Sequence, residues 1–548
     1  MSHGRDAHDP SVPITGHLPI EDDGEENDGE ENEERVPMRV QPRDILPPRD
    51  GRFRFLHISS GFPRKGVDCL IEAWGRAFTT ADPVCLVVKT FPNPHNDIAL
   101  QVEALRRRFP DHAEIVLIDA DVDKSRIAGL YRDCDALVMP SRGEGFGLPA
   151  AEAMLAGLPV IATGHGGLAD FCTPDTAWLV DYRFARAETH LGVFDSVWAD
   201  PDIDDLARAL SAVRAAAPAE RRTRTDAARA LVERVFSWPA VARRTEAAVA
   251  SLESRPAVRT FDRVAWVSSW NVRCGIASYA RLLAEAIPQT CLQVLASRSN
   301  DLLEPDAGNV TRCWNQGWED PLDELFAAIV AGGARAVVVQ FNFGFFDLAA
   351  LGRLINRLAD AGVSSTVILH STLDVQKPDR FMSLGQVRAS LARAGRLLVH
   401  GVADLNRLKG FGLVDNVALF PHGARLAATP ANPPSAVAGT RTIASFGYLL
   451  PHKGLQPLIE AFVRLQARHP ELRLRLFNAI YPVVESEQEA AACRALIARH
   501  PAAAGRIELV TDYLAEETVL GRLAAADLVV LPYQYTQESA SGAVRFAL

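Results

Sequence analysis

Two carboxylates, Glu144 and Glu152, flank a glycine-rich turn in the segment MPSRGEGFGLPAAEA. The apolar run before the turn predicts a buried strand, and the Ala-rich segment after it predicts a helix. In open α/β sheets, ligands bind in loops at the carboxyl ends of the strands. Gly145 and Gly147 allow a tight turn in which backbone N–H groups approach a bound anion or sugar. The alternative is an ordinary strand, turn and helix with a solvated glutamate.

Short apolar runs alternate with segments of helical periodicity on both sides of this motif. The alternation predicts a doubly wound parallel sheet, closed by Ala-rich helices between Ile203 and Leu252. After the first predicted strand, FRFLHIS, the turn SGFPRKG places Lys65 at the start of a helix. The predicted apolar face of that helix comprises Val67, Leu70, Ile71, Trp74 and Phe78. The other predicted strands of this sheet are VCLVV, EIVLI, DALVM, PVIAT and AWLVD, with helices at 100–109 and 125–132.

A second α/β unit is predicted between residues 263 and 423. Its opening strand, turn and helix, RVAWVSS-WNVRCGIAS-YARLLAEAI, contain only a fragment of the dinucleotide-binding glycine pattern. Further strands are predicted at AVVVQF, TVILH, RLLVH and NVALF. Polar residues follow these strands: Gln340, Asn342, His370, His400 and His422. A lone histidine at a strand end is usually a structural hydrogen bonder, but several at one edge of a sheet favour a functional role.

The plan of the first unit returns near the carboxyl terminus. RTIASFGYLLPHKGLQPLIEAF repeats FRFLHISSGFPRKGVDCLIEAW, and AADLVVLPYQYTQESASGAVRFAL parallels CDALVMPSRGEGFGLPAAEAM. The repeat predicts a duplication at the scale of a domain. We therefore divide the chain into an acidic tail and linker (1–50), two α/β domains (51–255 and 258–432) and a partial copy of the first (440–548). We expect that copy to lack the strands and closing helices that follow the motif in the first.

Composition excludes several classes of function. The chain has 548 residues and a net charge of -10, with an almost wholly polar, acidic run from Glu21 to Glu34 that is expected to be disordered. The absence of a basic patch with interleaved aromatics argues against nucleic acid as a partner. The eight cysteines show no C-x-x-C spacing, and no histidines cluster near them in the sequence. This pattern predicts reduced thiols, a cytoplasmic location and no zinc site. Neither a signal peptide nor a membrane-spanning run is evident.

A Lys-Gly turn followed by an acidic glycine-rich motif is the basis of a family resemblance. Lys65-Gly66 and E-G-F-G-L-P-x-x-E over 144–152 resemble the carboxyl-terminal, donor-binding half of the retaining group 1 glycosyltransferases. Residues 263–423 resemble that family's amino-terminal half, with a glycine-containing first loop at 273–277 and a strand-end histidine at His370. The resemblance implies an α/β fold of Rossmann-like, doubly wound parallel sheets of the GT-B type. The order is a donor half, an amino-terminal half and a partial second donor half.

The resemblance also implies roles for individual residues. Lys65, with Arg64, would hold the diphosphate of a nucleotide sugar; Glu144 would contact the hydroxyls of the transferred sugar; and Glu152 would hold the ribose. Without the motif, Lys65 could be a surface residue at a helix start. We assign Glu144, His370 and Lys65 as catalytic. The assigned donor-binding residues are Arg64, Lys65, Gly145, Phe146, Gly147, Leu148, Glu152, Gly275, Lys453 and Glu538. The resemblance implies transfer with retention, by front-side attack, without a cofactor or metal.

The chain departs from the family pattern at several positions. The family usually has an arginine next to the glycine that opens the Lys-Gly turn, where this chain has Ser60 and Tyr448. Arg64 is expected to compensate in the first copy. In the second copy Glu538 can replace the first glutamate, but Phe546 occupies the position of the second. We therefore expect the second copy to lack ribose recognition and not to form a donor site by itself.

Three arrangements of the parts remain open. The first donor half could close a cleft with 263–423 as a permuted pair, the chain could derive from a longer tandem enzyme, or the second unit could itself be active. The tandem origin is favoured because permutation demands a new interface. The predicted function is transfer of a hexose, with GDP-mannose as one donor, to a glycan or lipid-linked glycan of the cell surface, in the cytoplasm or at the inner face of the membrane. The alternative is a non-catalytic sugar-nucleotide-binding or scaffolding module.

Overall fold

Three parallel sheets carry the predicted alternation of strands and helices. They are seen in a computed structural model, which describes residues 46, 50–189, 196–254, 263–423, 439–534 and 543–544. We call residues 50–254 the first unit, 263–423 the middle unit and 439–534 the third unit. All three lie within a single compact body, Asp50–Leu548. The predicted domain boundaries stay a prediction, and the acidic run, Glu538 and Phe546 lie outside the described residues.

The first unit contains a six-stranded parallel sheet of order β3-β2-β1-β4-β5-β6, which is the order of doubly wound nucleotide-binding folds. A two-stranded antiparallel hairpin, β7-β8, follows it. The strands are β1 (Phe53–Ile58), β2 (Val84–Thr90), β3 (Ile115–Asp119), β4 (Ala136–Met139), β5 (Val160–Thr163), β6 (Trp178–Val180), β7 (Tyr182–Arg186) and β8 (Val197–Pro201). The helices are α1 (Val67–Ala77), α2 (Ile98–Arg108), α3 (Lys124–Asp133), α4 (Leu148–Ala156), α5 (Ile203–Ala215), α6 (Pro218–Val235) and α7 (Trp238–Ser254).

The middle unit has a seven-stranded parallel sheet of order β11-β10-β9-β12-β13-β16-β17 and a small hairpin, β14-β15. The strands are β9 (Val264–Ser268), β10 (Leu292–Ser297), β11 (Val310–Trp314), β12 (Ala336–Phe341), β13 (Ser364–Leu369), β14 (Val375–Lys377), β15 (Arg380–Met382), β16 (Arg396–Val399) and β17 (Val417–Leu419). The helices are α8 (Gly275–Ala284), α9 (Asp323–Ala331), α10 (Leu348–Asp360), α11 (Arg388–Leu391) and α12 (Val402–Gly410).

The third unit confirms the predicted duplication. Its four-stranded sheet has the order β20-β19-β18-β21, which repeats the order β3-β2-β1-β4 of the first unit. The strands are β18 (Arg441–Tyr448), β19 (Leu472–Ala479), β20 (Ile507–Val510) and β21 (Leu528–Val529). The helices are α13 (Leu455–Gln466), α14 (Val484–Ala498), α15 (Pro501–Ala504) and α16 (Glu516–Ala524).

Helix α1 packs on the first sheet through the face that the sequence predicts. All five predicted side chains, Val67, Leu70, Ile71, Trp74 and Phe78, are at most 5% exposed. They recur at helical spacing, so burying them stabilises the helix against the sheet by removing apolar surface from water. The corresponding face of α13 is buried in the same way. This packing fixes the turn that precedes each helix.

Several strands and hairpins were not predicted from the sequence, and one of these hairpins, β7-β8, joins the first unit to the middle unit. The hairpin β7-β8, the strands β10 and β11, and the hairpin β14-β15 were not predicted. Hairpin strand β7 packs on helix α12: the backbone N–H of Phe184 donates to Asn406 Oδ1 over 2.7 Å, and Asn406 Nδ2 donates to the Phe184 carbonyl over 2.9 Å. The ion pair Lys409–Asp181, 2.6 Å, adds to the contact. The first unit therefore docks on the flank of the middle unit.

Among the described helices, none combines the length and the apolar character needed to cross a membrane.

Candidate functional site

Lys65 lies at the switch point of the first sheet. The chain order reverses between β1 and β4, and ligands of open α/β sheets bind outside the carboxyl ends of such strands. A 3-10 turn, Pro63–Lys65, follows β1 and ends at Gly66, whose φ is 68°. A Cβ atom on Gly66 would lie 1.9 Å from the Pro140 carbonyl oxygen. Only glycine fits there, and the close approach brings Lys65 next to the loop after β4.

We expect Gly66→Ala to destabilise the first unit by about 2 kcal/mol or more, because it combines left-handed strain with a backbone clash. Urea unfolding followed by circular dichroism measures the loss. Gly143→Ala is the matched control, since its Cβ would meet nothing within 4 Å. Equal stability of the two variants would contradict the close approach. Gly454→Ala should repeat the effect in the third unit, where the Cβ would lie 2.0 Å from the Pro532 carbonyl oxygen.

Glu144 joins the loop after β4 to the lysine turn. Its carboxylate accepts from Lys65 Nζ over 2.6 Å and from Ser141 Oγ over 2.9 Å. The second oxygen lies 3.6 Å from Arg64 Nη1. The Glu144 side chain is 7% exposed, whereas that of Arg64 is 49% exposed. Two cations therefore share one buried carboxylate, and the excess positive charge on the open side suits an anionic ligand.

Arg142 was not singled out from the sequence, although it fixes the geometry of this pair. Its buried guanidinium donates to Asp68 Oδ1 and Oδ2 over 2.7 and 2.6 Å, to Asp200 Oδ1 over 2.8 Å and to the Pro63 carbonyl over 2.7 Å. Burial is the largest single influence and opposes the charged form of Arg142, but the hydrogen bonds to Asp68 and Asp200 and the neighbouring charges together outweigh it and raise the pKa of Arg142. Arg142 thus ties the lysine turn to helix α1 and to hairpin strand β8.

A second glycine-rich loop, after β5, supports the backbone of the motif. The Gly167 N–H donates to the Glu144 carbonyl over 3.0 Å. A Cβ on Gly167 would lie 2.2 Å from the Gly145 carbonyl oxygen. The two loops are therefore packed backbone against backbone. The run Gly164–Gly167, three glycines in four residues directly after a strand, was the sequence signal that could have revealed this loop.

The remaining assigned residues of the motif divide into anchors and exposed positions. Phe146 packs on Phe171 and Phe236, with ring centroids 5.0 and 5.5 Å apart, so it anchors the loop. Gly147 is left-handed at φ 91° and is the N-cap residue of α4. Leu148 is 64% exposed and available to a ligand. Gly145 is exposed too.

Glu152 projects from α4 and is exposed. Tyr131 Oη donates to Glu152 Oε2 over 2.8 Å. Burial, and then the charge of Glu152, raises the pKa of the Tyr131 phenol, so the phenol stays protonated and holds one carboxylate oxygen in place. The other oxygen can accept from the hydroxyl of a ligand.

His57 lies behind the lysine turn and is fully buried. Its Nδ1 donates to the Val138 carbonyl over 2.8 Å, and its Nε2 lies 2.8 Å from Ser59 Oγ. Burial lowers the pKa of His57 to about 4 from an ordinary value of 6.5. The unfolded chain therefore binds more protons than the folded chain between these two pH values. Stability contributed by neutral His57 is complete above pH 6.5 and is lost as pH falls towards 4, by about 3 kcal/mol in total.

We expect His57→Asn to flatten the pH dependence of unfolding. The free energy of unfolding of the unmodified protein should fall between about pH 7.5 and about pH 4.5, and the variant, whose amide can still donate to Val138, should lose less. Burial lowers the pKa of His370 and His400 in the same direction, so the diagnostic quantity is the difference between the two proteins. The exposed His469→Asn is the control; a slope for His57→Asn equal to that of this control would contradict the assignment.

In the middle unit, the predicted strand-end residues meet at one edge of the sheet. Gly275 begins α8 and is exposed. His370 is buried and its Nε2 lies 2.7 Å from Gln340 Oε1. His400 and His422 are neighbours, with ring centroids 5.1 and 6.3 Å from that of His370. The prediction that these polar strand ends share an edge is confirmed.

The third unit faces that same edge. The Arg273 guanidinium, in the first loop of the middle unit, lies 5.7 Å from the centre of the Tyr513 ring. Burial, and then the neighbouring Cys274, raises the pKa of Tyr481. In the third unit Lys453 is buried, and its Nζ lies 4.2 Å from the centre of the Tyr533 ring. The described contacts thus bring the third unit to the loop after β9, and the first unit to helix α12.

The similarities to known proteins fall in the first unit. Residues 30–245 match a family described as "Family 4 Glycosyltransferase in conflict systems". An MMP alpha-(1->4)-mannosyltransferase of Mycolicibacterium hassiacum is 30% identical over 216 residues, which is 39% of this chain and 46% of that protein. A D-inositol 3-phosphate glycosyltransferase of Xylanimonas cellulosilytica is 36% identical over 104 residues, 19% of this chain and 24% of that protein. The chain spans less than half the length of these relatives.

Among solved structures, a sucrose-phosphate synthase from Thermosynechococcus elongatus aligns with 37% of this chain and 46% of its own, at 26% identity and a TM-score of 0.30.

Proposed function

We propose that this protein transfers a hexose from a nucleotide-diphosphate sugar to a glycan or lipid-linked glycan. The premise is that residues 30–245 form a glycosyltransferase segment of the group 1 type. The observation that carries the proposal is the ion pair of Lys65 and Glu144, 2.6 Å, at the switch point of the first sheet. Arg64 adds an exposed cation beside it. A diphosphate needs such an excess of positive charge, and increasingly so as it leaves.

In the proposed reaction the bond between the anomeric carbon and the diphosphate breaks while the acceptor oxygen bonds to the same face of that carbon. The acceptor proton passes to an oxygen of the leaving diphosphate, so the configuration is retained. Lys65 and Arg64 neutralise the leaving group without a metal at this site, and Glu144 accepts from the hydroxyls of the sugar. Glu152 accepts from the ribose. The two carboxylates bind, and neither acts as the nucleophile of a glycosidase.

GDP-mannose is the first donor to test, because the relative that aligns with this chain over 216 residues is described as a mannosyltransferase. We propose a surface glycan as acceptor and a site of action in the cytoplasm or at the inner membrane face. Since the matching family is described as one of conflict systems, the acceptor panel includes macromolecules beside glycans and glycolipids.

A second candidate is a sugar-nucleotide-binding module without transfer. It is favoured by one observation: the described contacts bring the loop of Arg273 to the third unit, whereas the first unit touches the middle unit at helix α12. An acceptor bound at the His370 edge of the middle unit would then face the third unit, and not the donor site of the first unit.

The deciding experiment is release of nucleoside diphosphate from a panel of nucleotide sugars, with and without acceptors. Release with one donor, dependent on an acceptor and abolished by Glu144→Ala, supports transfer in the first unit. Binding of a donor by calorimetry without release supports the module. Transfer that Glu144→Ala leaves unchanged would contradict the site assignment.

A further inference from the structure

Three histidines converge at the carboxyl edge of the middle sheet. His370, His400 and His422 follow β13, β16 and β17, which are neighbours in the sheet. Parallel strands lie about 4.8 Å apart, so side chains at their ends can meet. One ring nitrogen of each histidine lies within 4.8 Å of a ring nitrogen of the other two. The sheet thus assembles three nitrogen ligands that are far apart in sequence.

Two of the imidazoles are oriented by hydrogen bonds on the nitrogen that a metal would not use. His400 Nδ1 lies 2.8 Å from the Phe420 carbonyl oxygen, which only accepts, so Nδ1 carries the proton. His370 Nε2 lies 2.7 Å from Gln340 Oε1, which places the proton on Nε2 and the lone pair on Nδ1. Metal-binding histidines show this arrangement, because the outer partner fixes the tautomer.

His400 Nε2 provides an independent indication of a ligand-binding site. It is buried and has no hydrogen-bond partner among the described residues. With the proton on Nδ1, Nε2 bears a lone pair, and burying an unpaired acceptor is unfavourable. Tyr279 Oη is also buried without a partner in the described chain. The Tyr279 ring packs on all three imidazoles, with centroid distances of 4.9, 5.4 and 4.5 Å.

We infer that His370, His400 and His422 bind a divalent transition-metal ion of the zinc class, in a site with an open position beside Tyr279. Three imidazoles suit Zn²⁺, Co²⁺, Ni²⁺ or Cu²⁺, and three protein ligands leave room for a water or a substrate oxygen. Zn–N bonds of about 2.0–2.1 Å require the nitrogens to close in slightly by rotation of the side chains.

This site goes beyond the proposed donor site, which lies at the switch point of the first sheet and uses no metal there. It revises the role of His370, which would hold an ion at the acceptor edge instead of contacting the acceptor directly. It also departs from the sequence-based expectation of no zinc site, which considered only residues close in sequence.

The test uses the full chain without a polyhistidine tag, freed of metal by chelator and titrated with Zn²⁺ against a chromophoric competitor. One ion should bind per chain, and His400→Ala should weaken binding by more than about 100-fold. Gln340→Leu removes an outer hydrogen bond and should weaken binding by about 10- to 100-fold. The exposed His469→Ala is the matched control and should bind as the unmodified protein does.

X-ray absorption of the Zn²⁺-bound, unmodified protein provides a readout that does not depend on the folding of variants. Scattering from imidazole ligands supports the site, and a shell of oxygen or sulfur ligands alone overturns it. Failure of the unmodified protein to compete with the chelator, or equal affinity in His400→Ala, would also overturn it. Donor binding in chelator, measured by calorimetry, then distinguishes the two proposals, because removal of Zn²⁺ leaves the donor-binding residues Lys65 and Glu144 untouched.

Discussion

Lys65→Ala is expected to lower kcat for hexosyl transfer by about 100- to 1,000-fold, the usual cost of removing one preorganised donor to a developing anion. Lys65 is 15% exposed and its Nζ lies 2.6 Å from Glu144 Oε1, so its charge is held in place before the donor binds. The negative charge on the diphosphate grows as the bond to the sugar breaks. The loss should therefore appear mainly in kcat, with a smaller rise in KM. Steady-state release of nucleoside diphosphate measures both constants.

The duplication offers a direct discriminator for this prediction. Lys453 occupies the equivalent turn of the third unit, directly before Gly454. Lys65→Ala should abolish most transfer if the first copy holds the donor. A larger loss in Lys453→Ala than in Lys65→Ala would contradict that assignment and place transfer in the second copy. Lys124→Ala, an exposed lysine at the start of α3, controls for the loss of a positive charge and should retain activity.

The alternation of apolar runs and helical periods was enough to predict the fold class. Strands such as β4 are short and wholly buried, and β4 lies between Asp135 and Pro140, so the apolar run is clearly delimited in the sequence. The duplication was equally visible, because the Lys-Gly turns and the apolar faces of α1 and α13 recur in the same order. The hairpin β7-β8 was not predicted. It packs on α12 through residues more than 200 positions apart in sequence, such as Phe184 and Asn406, and no local sequence pattern reveals such a contact.

The sequence predicted which residues form the candidate site, but not how they are oriented. The types and spacing of Lys65, Glu144 and Glu152 indicated binding of a nucleotide sugar. The orientation of these side chains depends on residues that belong to no recognised motif. His57 lies in the first strand, and its depressed pKa comes from burial, which no spacing reveals. The three histidines of the middle unit follow different strands, so only the strand order β13-β16-β17 brings them together.

Arg142 lies outside the recognised motif residues but holds the turn that carries Lys65. We expect Arg142→Ala to destabilise the first unit by about 3–5 kcal/mol. The substitution leaves Asp200, 20% exposed, and the Pro63 carbonyl without the guanidinium that they share. Urea unfolding measures the loss. Arg183→Ala is the matched control, because Arg183 reaches the same Asp200 from the surface at 3.5 Å with its side chain 77% exposed, and such pairs contribute less than about 1 kcal/mol.

Arg142→Lys separates the charge of this residue from its geometry. Lysine keeps one positive charge but cannot donate to Asp68, Asp200 and the Pro63 carbonyl at once, since it lacks the planar fork of arginine. We therefore expect Arg142→Lys to recover part of the stability and little of the transfer activity, with kcat below that of the unmodified protein because the turn carrying Lys65 is no longer fixed. Full recovery of kcat by lysine would show that charge alone is needed and would contradict the positioning role. The reach of Lys65 towards a leaving diphosphate would then depend on the turn itself, held by Gly66 against Pro140.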